Sequence, residues 1–74
     1  MPRKLRDLRA ELRQAGADIE TQRGSHQKWG HPWVPDTKVV LAGPDSADAH
    51  PYQEKQVRRL LQRIADETAK RKQS

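Results

Sequence analysis

The sequence contains no cysteine and no phenylalanine, and only 12 of its 74 residues are leucine, isoleucine or valine. Without cysteine, neither a disulfide nor a cysteine-bound zinc ion can stabilise the fold. There is no run of about 20 apolar residues, so we expect no membrane-spanning helix. The first residues also lack an apolar signal region, so we expect the protein in the cytoplasm.

The small share of large apolar residues is typical of disordered chains. The apolar residues that are present nevertheless recur with helical and strand periodicity, which disorder does not require. We therefore expect a single domain over residues 1–70 with a thin core, followed by a basic disordered tail over residues 71–74. Because such a core is marginally stable, a binding partner would help to maintain it.

The basic residues are concentrated at the two ends of the chain, which has a net charge of +5. Residues 1–14 carry five bases and two acids, and residues 54–74 carry seven bases and three acids. The middle, residues 15–53, has three bases and five acids. Cationic surfaces attract polyanions such as nucleic acid. The same charges would equally serve as ordinary solvated helix faces.

Hydrophobic periodicity predicts two helices that flank three strands. A leucine at every third or fourth position predicts a helix over residues 3–15, which Gly16 would end in a left-handed conformation. Pro51 fits the first position of a second helix, which the apolar spacing extends to about residue 70. Alternating or β-branched runs predict strands over residues 17–23, 26–31 and 38–42.

The element order α-β-β-β-α predicts an α+β fold, in which a three-stranded antiparallel sheet carries both helices on one face. The other face of the sheet would stay open to solvent. Gly24 and Ser25 separate the first two strands, and Gly suits the first central position of a type II′ hairpin turn. Trp29 is expected to face the helices, whereas Trp33 lies among prolines and is expected to be exposed, where it could stack on a base.

A two-residue hairpin loop would place Arg23 opposite His26, with Lys28 further along the same strand face. Imidazole transfers protons near neutral pH, and guanidinium binds phosphate oxygens in a bidentate manner. These groups are the minimal parts for cleaving RNA without a metal ion. The alternative interpretation is that His26 is an ordinary surface residue beside a turn. His26 and His31 fall on opposite strand faces, so we expect no shared metal site and no cofactor.

Four further cations are candidate contacts for RNA phosphates. Arg6, Arg9 and Arg13 share one side of the first predicted helix, next to its leucines. Lys55 lies near the start of the second helix. The alternative is that these side chains serve only solubility.

The residues around the predicted hairpin resemble a known family. Residues 23–29 read Arg-Gly-Ser-His-Gln-Lys-Trp and are followed by Gly-His-Pro at residues 30–32. Gly-Ser-His with an aromatic residue three positions after the histidine resembles the HicA toxin family. The leucine-striped helix before this string and the closing helix after it fit the layout of that family over roughly residues 4–66. Residues 33–36 and 55–58 depart from the family's pattern.

The resemblance implies a fold like that of double-stranded-RNA-binding domains and the activity of an mRNA interferase, an endoribonuclease that cleaves mRNA. The histidine of the Gly-Ser-His motif is the active-site residue of such toxins, so the resemblance assigns catalysis to His26. Arg23, Lys28 and the turn residues Gly24 and Ser25 are the expected substrate contacts around it. HicA toxins are neutralised by a HicB antitoxin that covers the active site, so a HicB-like protein is the expected partner.

Two other functions are compatible with the sequence. A non-catalytic RNA-binding module would use the basic helices, including Arg6, Arg9 and Arg13, and would not need His26. A pure interaction protein would direct its basic surface to an acidic protein and would not bind RNA.

Overall fold

The computed structural model describes residues 3–72 and has the predicted order of two helices around three strands. Helix α1 is Leu5–Gln14 and helix α2 is Pro51–Lys72. The strands are β1, Asp18–Arg23, β2, His26–Gly30, and β3, Val39–Ala42. Both strand pairs are antiparallel and the order in the sheet is β1-β2-β3. The predicted α+β class and topology are therefore confirmed.

Both helices pack on one face of the sheet, and a single apolar core lies between the two layers. Trp29 is fully buried there, as predicted. The leucines of α1 and the apolar stripe of α2 meet the inward side chains of β2 and β3. The largest core members are Leu5, Leu8, Leu12, Trp29, Val34, Val39, Leu41, Val57, Leu60 and Ile64.

The carboxyl end of α1 is closed by Gly16, which has a φ of +90° as the sequence predicts. The Gly16 N–H donates to the carbonyl of Arg13 at 3.0 Å, and the Ala17 N–H donates to the carbonyl of Leu12 at 2.9 Å. This pair of bonds is the Schellman arrangement, which satisfies carbonyls that a helix end leaves without partners. It also turns the chain directly into β1.

The amino end of α1 is held by the loop that follows β3. The Leu5 N–H donates to the carbonyl of Ala47 at 2.9 Å, and the Arg6 N–H donates to the carbonyl of Asp45 at 3.2 Å. Free N–H groups in a first helical turn need acceptors. Here the loop supplies them, so the contact also fixes the position of Asp45 beside α1.

Strand β1 contains a bulge at Glu20. Ile19 pairs with Trp29, and Thr21 pairs with Lys28. Ile19 and Thr21 are two positions apart in β1, whereas their partners are adjacent in β2, so β1 contains one extra residue. An extra residue in one strand reverses the faces of the residues that follow it. Ile19 therefore faces the helices with Trp29, whereas Thr21 faces the open side. The predicted unbroken alternation over residues 17–23 is wrong at this point.

Helix α2 continues through Arg71 and Lys72, so the predicted disordered tail does not begin at residue 71. The guanidinium carbon of Arg71 lies 4.0 Å from the centre of the Trp33 ring. Residues 73 and 74 of the predicted tail lie outside the described residues. Neither helix within residues 3–72 has the length and hydropathy needed to cross a bilayer.

Candidate functional site

The hairpin between β1 and β2 has the predicted two-residue turn. Gly24 has a φ of +58°, and Ser25, like every other described non-glycine residue, has no positive φ. This is the pattern of a type II′ turn, with positive φ at its first central residue only. Apart from Gly24 itself and its two chain neighbours, no described residue has an atom within 4 Å of the place where a Cβ of Gly24 would be. The turn therefore requires glycine for its backbone conformation, and its outer surface is open.

The turn pairs Arg23 with His26, as the sequence predicts. The next pair along the hairpin is Thr21 with Lys28, and β3 places Val40 beside Lys28. These side chains line a shallow pocket of about 350 Å³ on the side of the sheet away from the helices. We call this surface the open face; its residues are Thr21, Arg23, His26, Lys28 and Val40.

The cations of the open face are available to a ligand. Arg23, His26 and Lys28 are exposed, and within residues 3–72 none of their side chains has a hydrogen bond or an ion pair. The imidazole of His26 is therefore free to meet an incoming group, with two permanent positive charges on the same face. An imidazole among cations is suited to proton transfer at an anionic group such as a phosphodiester.

The far end of the same sheet face carries an ion pair. Lys38 Nζ donates to Glu20 Oε2 at 2.6 Å. A Cβ on Gly30 would lie 2.7 Å from the Glu20 carboxyl carbon and 2.8 Å from Lys38 Nζ, so the glycine leaves room for the pair. Because Glu20 is paired with Lys38, its negative charge does not neutralise the cations near the turn.

A second cluster of predicted substrate residues lies on the helix side of the hairpin. A cleft of about 400 Å³ separates α1 from the turn and from the loop after β3. We call it the α1 cleft. It is lined by Arg6, Arg9, Ala10, Arg13, Gln22, Ser25, Gln27, Gly43, Pro44 and Asp45.

Arg9 does not belong to an exposed basic strip, which corrects that part of the prediction. Its side chain is only 10% exposed. The guanidinium donates to Gln27 Oε1 at 2.9 Å, to Asp45 Oδ1 at 2.5 Å and to the carbonyl of Gly43 at 2.7 Å. These acceptors engage all three nitrogens of the guanidinium, so Arg9 forms the floor of the α1 cleft.

Arg6 and Arg13 are the exposed cations of the α1 cleft. The side chain of Arg6 is 66% exposed, and its Nε lies 4.0 Å from Oδ1 of the adjacent Asp7. The guanidinium carbon of Arg13 lies 5.4 Å from the centre of the Trp29 ring. Arg13 thus combines a cation–π contact with a guanidinium that faces solvent.

Several other residues named from the sequence lie apart from the open face. Lys55 is exposed on α2 and lines neither the open face nor the α1 cleft. His31 is buried, and its Nδ1 accepts the backbone N–H of Trp33 at 3.0 Å. His50 stacks on Tyr52, which is 58% exposed. No cluster of three metal-ligating side chains occurs among residues 3–72.

Three residues of the two sites do not stand out in the sequence. Gln27 is the acceptor that connects Arg9 to β2. Nothing about a glutamine next to the histidine motif indicates that contact in the sequence. Thr21 would have followed from strand alternation counted back from Arg23. Val40 reaches the open face through the register of β2 with β3, which only the structure provides.

Comparison with known proteins adds no relative to this description. No protein-family model matches the chain, and no curated protein and no solved structure matches it. The function is therefore argued from the residues of the open face and the α1 cleft.

Proposed function

We propose that this protein is an mRNA-cleaving toxin of the HicA type, with His26 as its single catalytic histidine. The observation that carries the proposal is the pairing of Arg23 with His26 across the Gly24–Ser25 turn, on an open face whose cations have no acid partner among residues 3–72. The Gly-Ser-His string at that turn is the feature that resembles the family.

The proposed reaction uses the 2′-hydroxyl of the RNA itself. The 2′-oxygen attacks the adjacent phosphorus, and the bond from phosphorus to the 5′-oxygen breaks. The products are a 2′,3′-cyclic phosphate and a 5′-hydroxyl. His26 takes the proton that leaves the 2′-hydroxyl or supplies the proton that the 5′-oxygen gains, and water carries the other.

The neighbouring groups hold the phosphate during this reaction. The guanidinium of Arg23 faces the non-bridging oxygens, whose charge grows in the transition state. Lys28, further along the same face, neutralises an adjacent phosphate. Gly24 and Ser25 form the open edge of the turn over which the substrate reaches His26. No metal or other cofactor takes part in these steps.

The proposed partner is a HicB-like antitoxin in the cytoplasm, where mRNA is the substrate. An antitoxin that covers the open face would bury the exposed Arg23, His26 and Lys28, which calls for acidic groups on the partner because buried cations need counter-charges. A gene for a HicB-like protein beside the gene for this chain would support this partnership.

The test is an RNA cleavage assay in the presence of EDTA. Wild-type protein is expected to cleave mRNA to products with 2′,3′-cyclic phosphate ends. His26→Ala is expected to lose about 100-fold or more of this activity, the range of general acid–base catalysis, while keeping its circular dichroism spectrum.

His50→Ala is the matched control, because His50 is also an exposed histidine, its ring stacks on Tyr52, and it lines neither the open face nor the α1 cleft. It is expected to retain activity. Full activity of His26→Ala, or dependence of wild-type cleavage on a divalent metal, would contradict the proposal.

A non-catalytic RNA-binding module is the second candidate. Arg6 and Arg13 favour it, because they are exposed cations of the α1 cleft and their one ion pair among residues 3–72 is the 4.0 Å contact of Arg6 with the adjacent Asp7. This candidate requires RNA binding that falls steeply with salt and is indifferent to His26. Cleavage that depends on His26 excludes it.

A further inference from the structure

We propose that the substrate is single-stranded RNA that passes over the Gly24–Ser25 turn, with one stretch on the open face and the adjoining phosphates in the α1 cleft. The inference rests on the proposed function for the chemistry at His26, and it adds a second binding site and the strandedness of the substrate.

The two sites lie on opposite sides of one hairpin. Arg23 and His26 pair on the open face, whereas the next pair, Gln22 with Gln27, lines the α1 cleft. Ser25 also lines the cleft, so the turn is the edge at which the two sites meet. A ligand that occupies both must cross this edge.

The α1 cleft has the charge that a phosphate-binding site needs. Of its three arginines, Arg9 is neutralised by Asp45, which lies 2.5 Å away. Arg13 has no ion pair among residues 3–72, and the one ion pair of Arg6 is a 4.0 Å contact with Asp7, which does not line the cleft, so both cations face it without a carboxylate of the cleft to neutralise them. The hydrogen bonds of Arg9 join α1, β2 and the loop after β3. They hold together the base of the cleft in which Arg6 and Arg13 lie.

The polar groups near the turn can complete the contacts. The side-chain amide of Gln22 donates to the carbonyl of Gly24 at 3.2 Å, which orients its oxygen acceptor. The hydroxyl of Ser25 has no partner among the described residues. A ribose hydroxyl and a phosphate oxygen are the groups that such an acceptor and donor would bind.

The shape of the edge selects a flexible strand. Gly24 and Ser25 are both exposed, so a nucleic-acid backbone can lie directly on the turn. An A-form duplex presents a wide, shallow groove and does not fold around a hairpin, whereas a single strand bends at each nucleotide. Simultaneous contact with both sides therefore excludes a duplex.

The test measures binding with the His26→Ala protein, which keeps the RNA intact. Fluorescence anisotropy compares a labelled single strand with the same sequence as a duplex. The single strand is expected to bind about tenfold or more tightly than the duplex. Replacing both Arg6 and Arg13 by glutamine is expected to weaken binding of the single strand on the order of tenfold and to reduce the salt slope by about 1.4, because two phosphate contacts are lost.

The matched control is the replacement of Arg58 and Arg59 by glutamine. It removes the same charge from exposed positions on α2 that line neither site. Its effect on binding is expected to be small. Equal losses in the two double variants would overturn the inference, because they would indicate attraction by net charge alone. Binding of the duplex that matches or exceeds binding of the single strand would overturn it as well.

Failure of this inference and failure of the proposed function give different results. One outcome is that wild-type protein does not cleave RNA but binds the single strand more tightly than the duplex and loses affinity when Arg6 and Arg13 are replaced. In that case the catalytic proposal fails and the binding path stands. If cleavage depends on His26 but the Arg6 and Arg13 variant binds and cleaves as wild type does, the binding path fails and the catalytic proposal stands.

Discussion

At the scale of single residues, Arg9 connects the part of the chain before the hairpin to the part after it. Its donors reach Gln27 in β2 and both Gly43 and Asp45 in the loop after β3. Hydrogen bonds from a charged group are worth more than neutral ones, and Arg9 makes three of them from a side chain that is only 10% exposed. Arg9 therefore stabilises the base of the hairpin that carries His26.

Replacement of Arg9 by methionine keeps much of the side-chain volume and removes every donor. We expect the free energy of unfolding to fall by about 2–3 kcal/mol, measured by urea denaturation. Arg6→Met is the control, because Arg6 is exposed; its effect is expected within about 0.5 kcal/mol. Equal losses for the two variants would contradict the role given to Arg9.

At the scale of elements, the bulge at Glu20 sets which face each residue of β1 occupies. Ile19 and Thr21 have the same parity along the chain, yet one faces the helices and the other the open side. Without a bulge, Ile19 facing the core would have turned Arg23 inward too. The extra residue thus allows a partly buried Ile19 that packs against the core and an Arg23 that faces outward beside His26.

Deletion of Glu20 is expected to preserve the fold. Ile19 and Thr21 then become neighbours opposite Trp29 and Lys28, which are neighbours already, so the pairing becomes regular. The loss is the exposed ion pair with Lys38, worth up to about 1 kcal/mol. Urea denaturation followed by tryptophan fluorescence measures this change.

Deletion of Lys28 from the partner strand is the contrasting variant. It lacks a compensating bulge in β2, so it would move Trp29 to the open face. Loss of cooperative unfolding and a red-shifted tryptophan emission are expected. A Glu20 deletion as disruptive as the Lys28 deletion would show that the bulge is itself required for folding.

The connection between β2 and β3 is tied to α2 by an ion pair. Arg63 Nη2 lies 3.1 Å from Asp36 Oδ1. The hydrogen bond from Arg63 is the main cause that lowers the pKa of Asp36 below its ordinary value of 3.8. Because the folded pKa is the lower one, the pair stabilises the fold fully above the ordinary pKa, and this contribution is lost as the pH falls through the lowered pKa.

NMR titration of the Asp36 carboxyl carbon measures this shift. Its midpoint is expected below 3.8, and Arg63→Gln is expected to raise it. Arg59→Gln is the control, since Arg59 is a nearby cation without an ion pair to Asp36. If Arg63→Gln leaves the midpoint unchanged, the hydrogen bond is not the cause.

Elements that depend on local sequence are predictable here, and contacts that depend on distant segments are not. The leucine stripe of α1, its end at Gly16 and the start of α2 at Pro51 follow from neighbouring residues, and all are confirmed. So is the pairing of Arg23 with His26, which the two-residue turn dictates. The burial of Arg9 needs the loop after β3 to return to α1, and no local pattern in the sequence indicates that return.

At the scale of the whole molecule, the thin core predicted from composition is a single apolar layer. The shortest dimension of the molecule is 18 Å, little more than one layer of helices on one sheet. Among residues 3–72, all buried apolar residues belong to one cluster between these layers. A domain of this size rarely exceeds about 3–5 kcal/mol of stability, so loss of one core side chain removes most of it.

Neighbouring residues of β3 allow this dependence to be measured. Leu41 is fully buried against the helices, whereas Val40, next to it, is 46% exposed on the open face. Leu41→Ala is expected to cost about 2–5 kcal/mol, so a large fraction of the protein would be unfolded at 25 °C. Val40→Thr keeps a β-branched side chain in the strand and is expected to cost less than about 1 kcal/mol. Circular dichroism with urea denaturation distinguishes them. A Leu41→Ala protein that remains fully folded at 25 °C would mean that stability does not rest on this one layer.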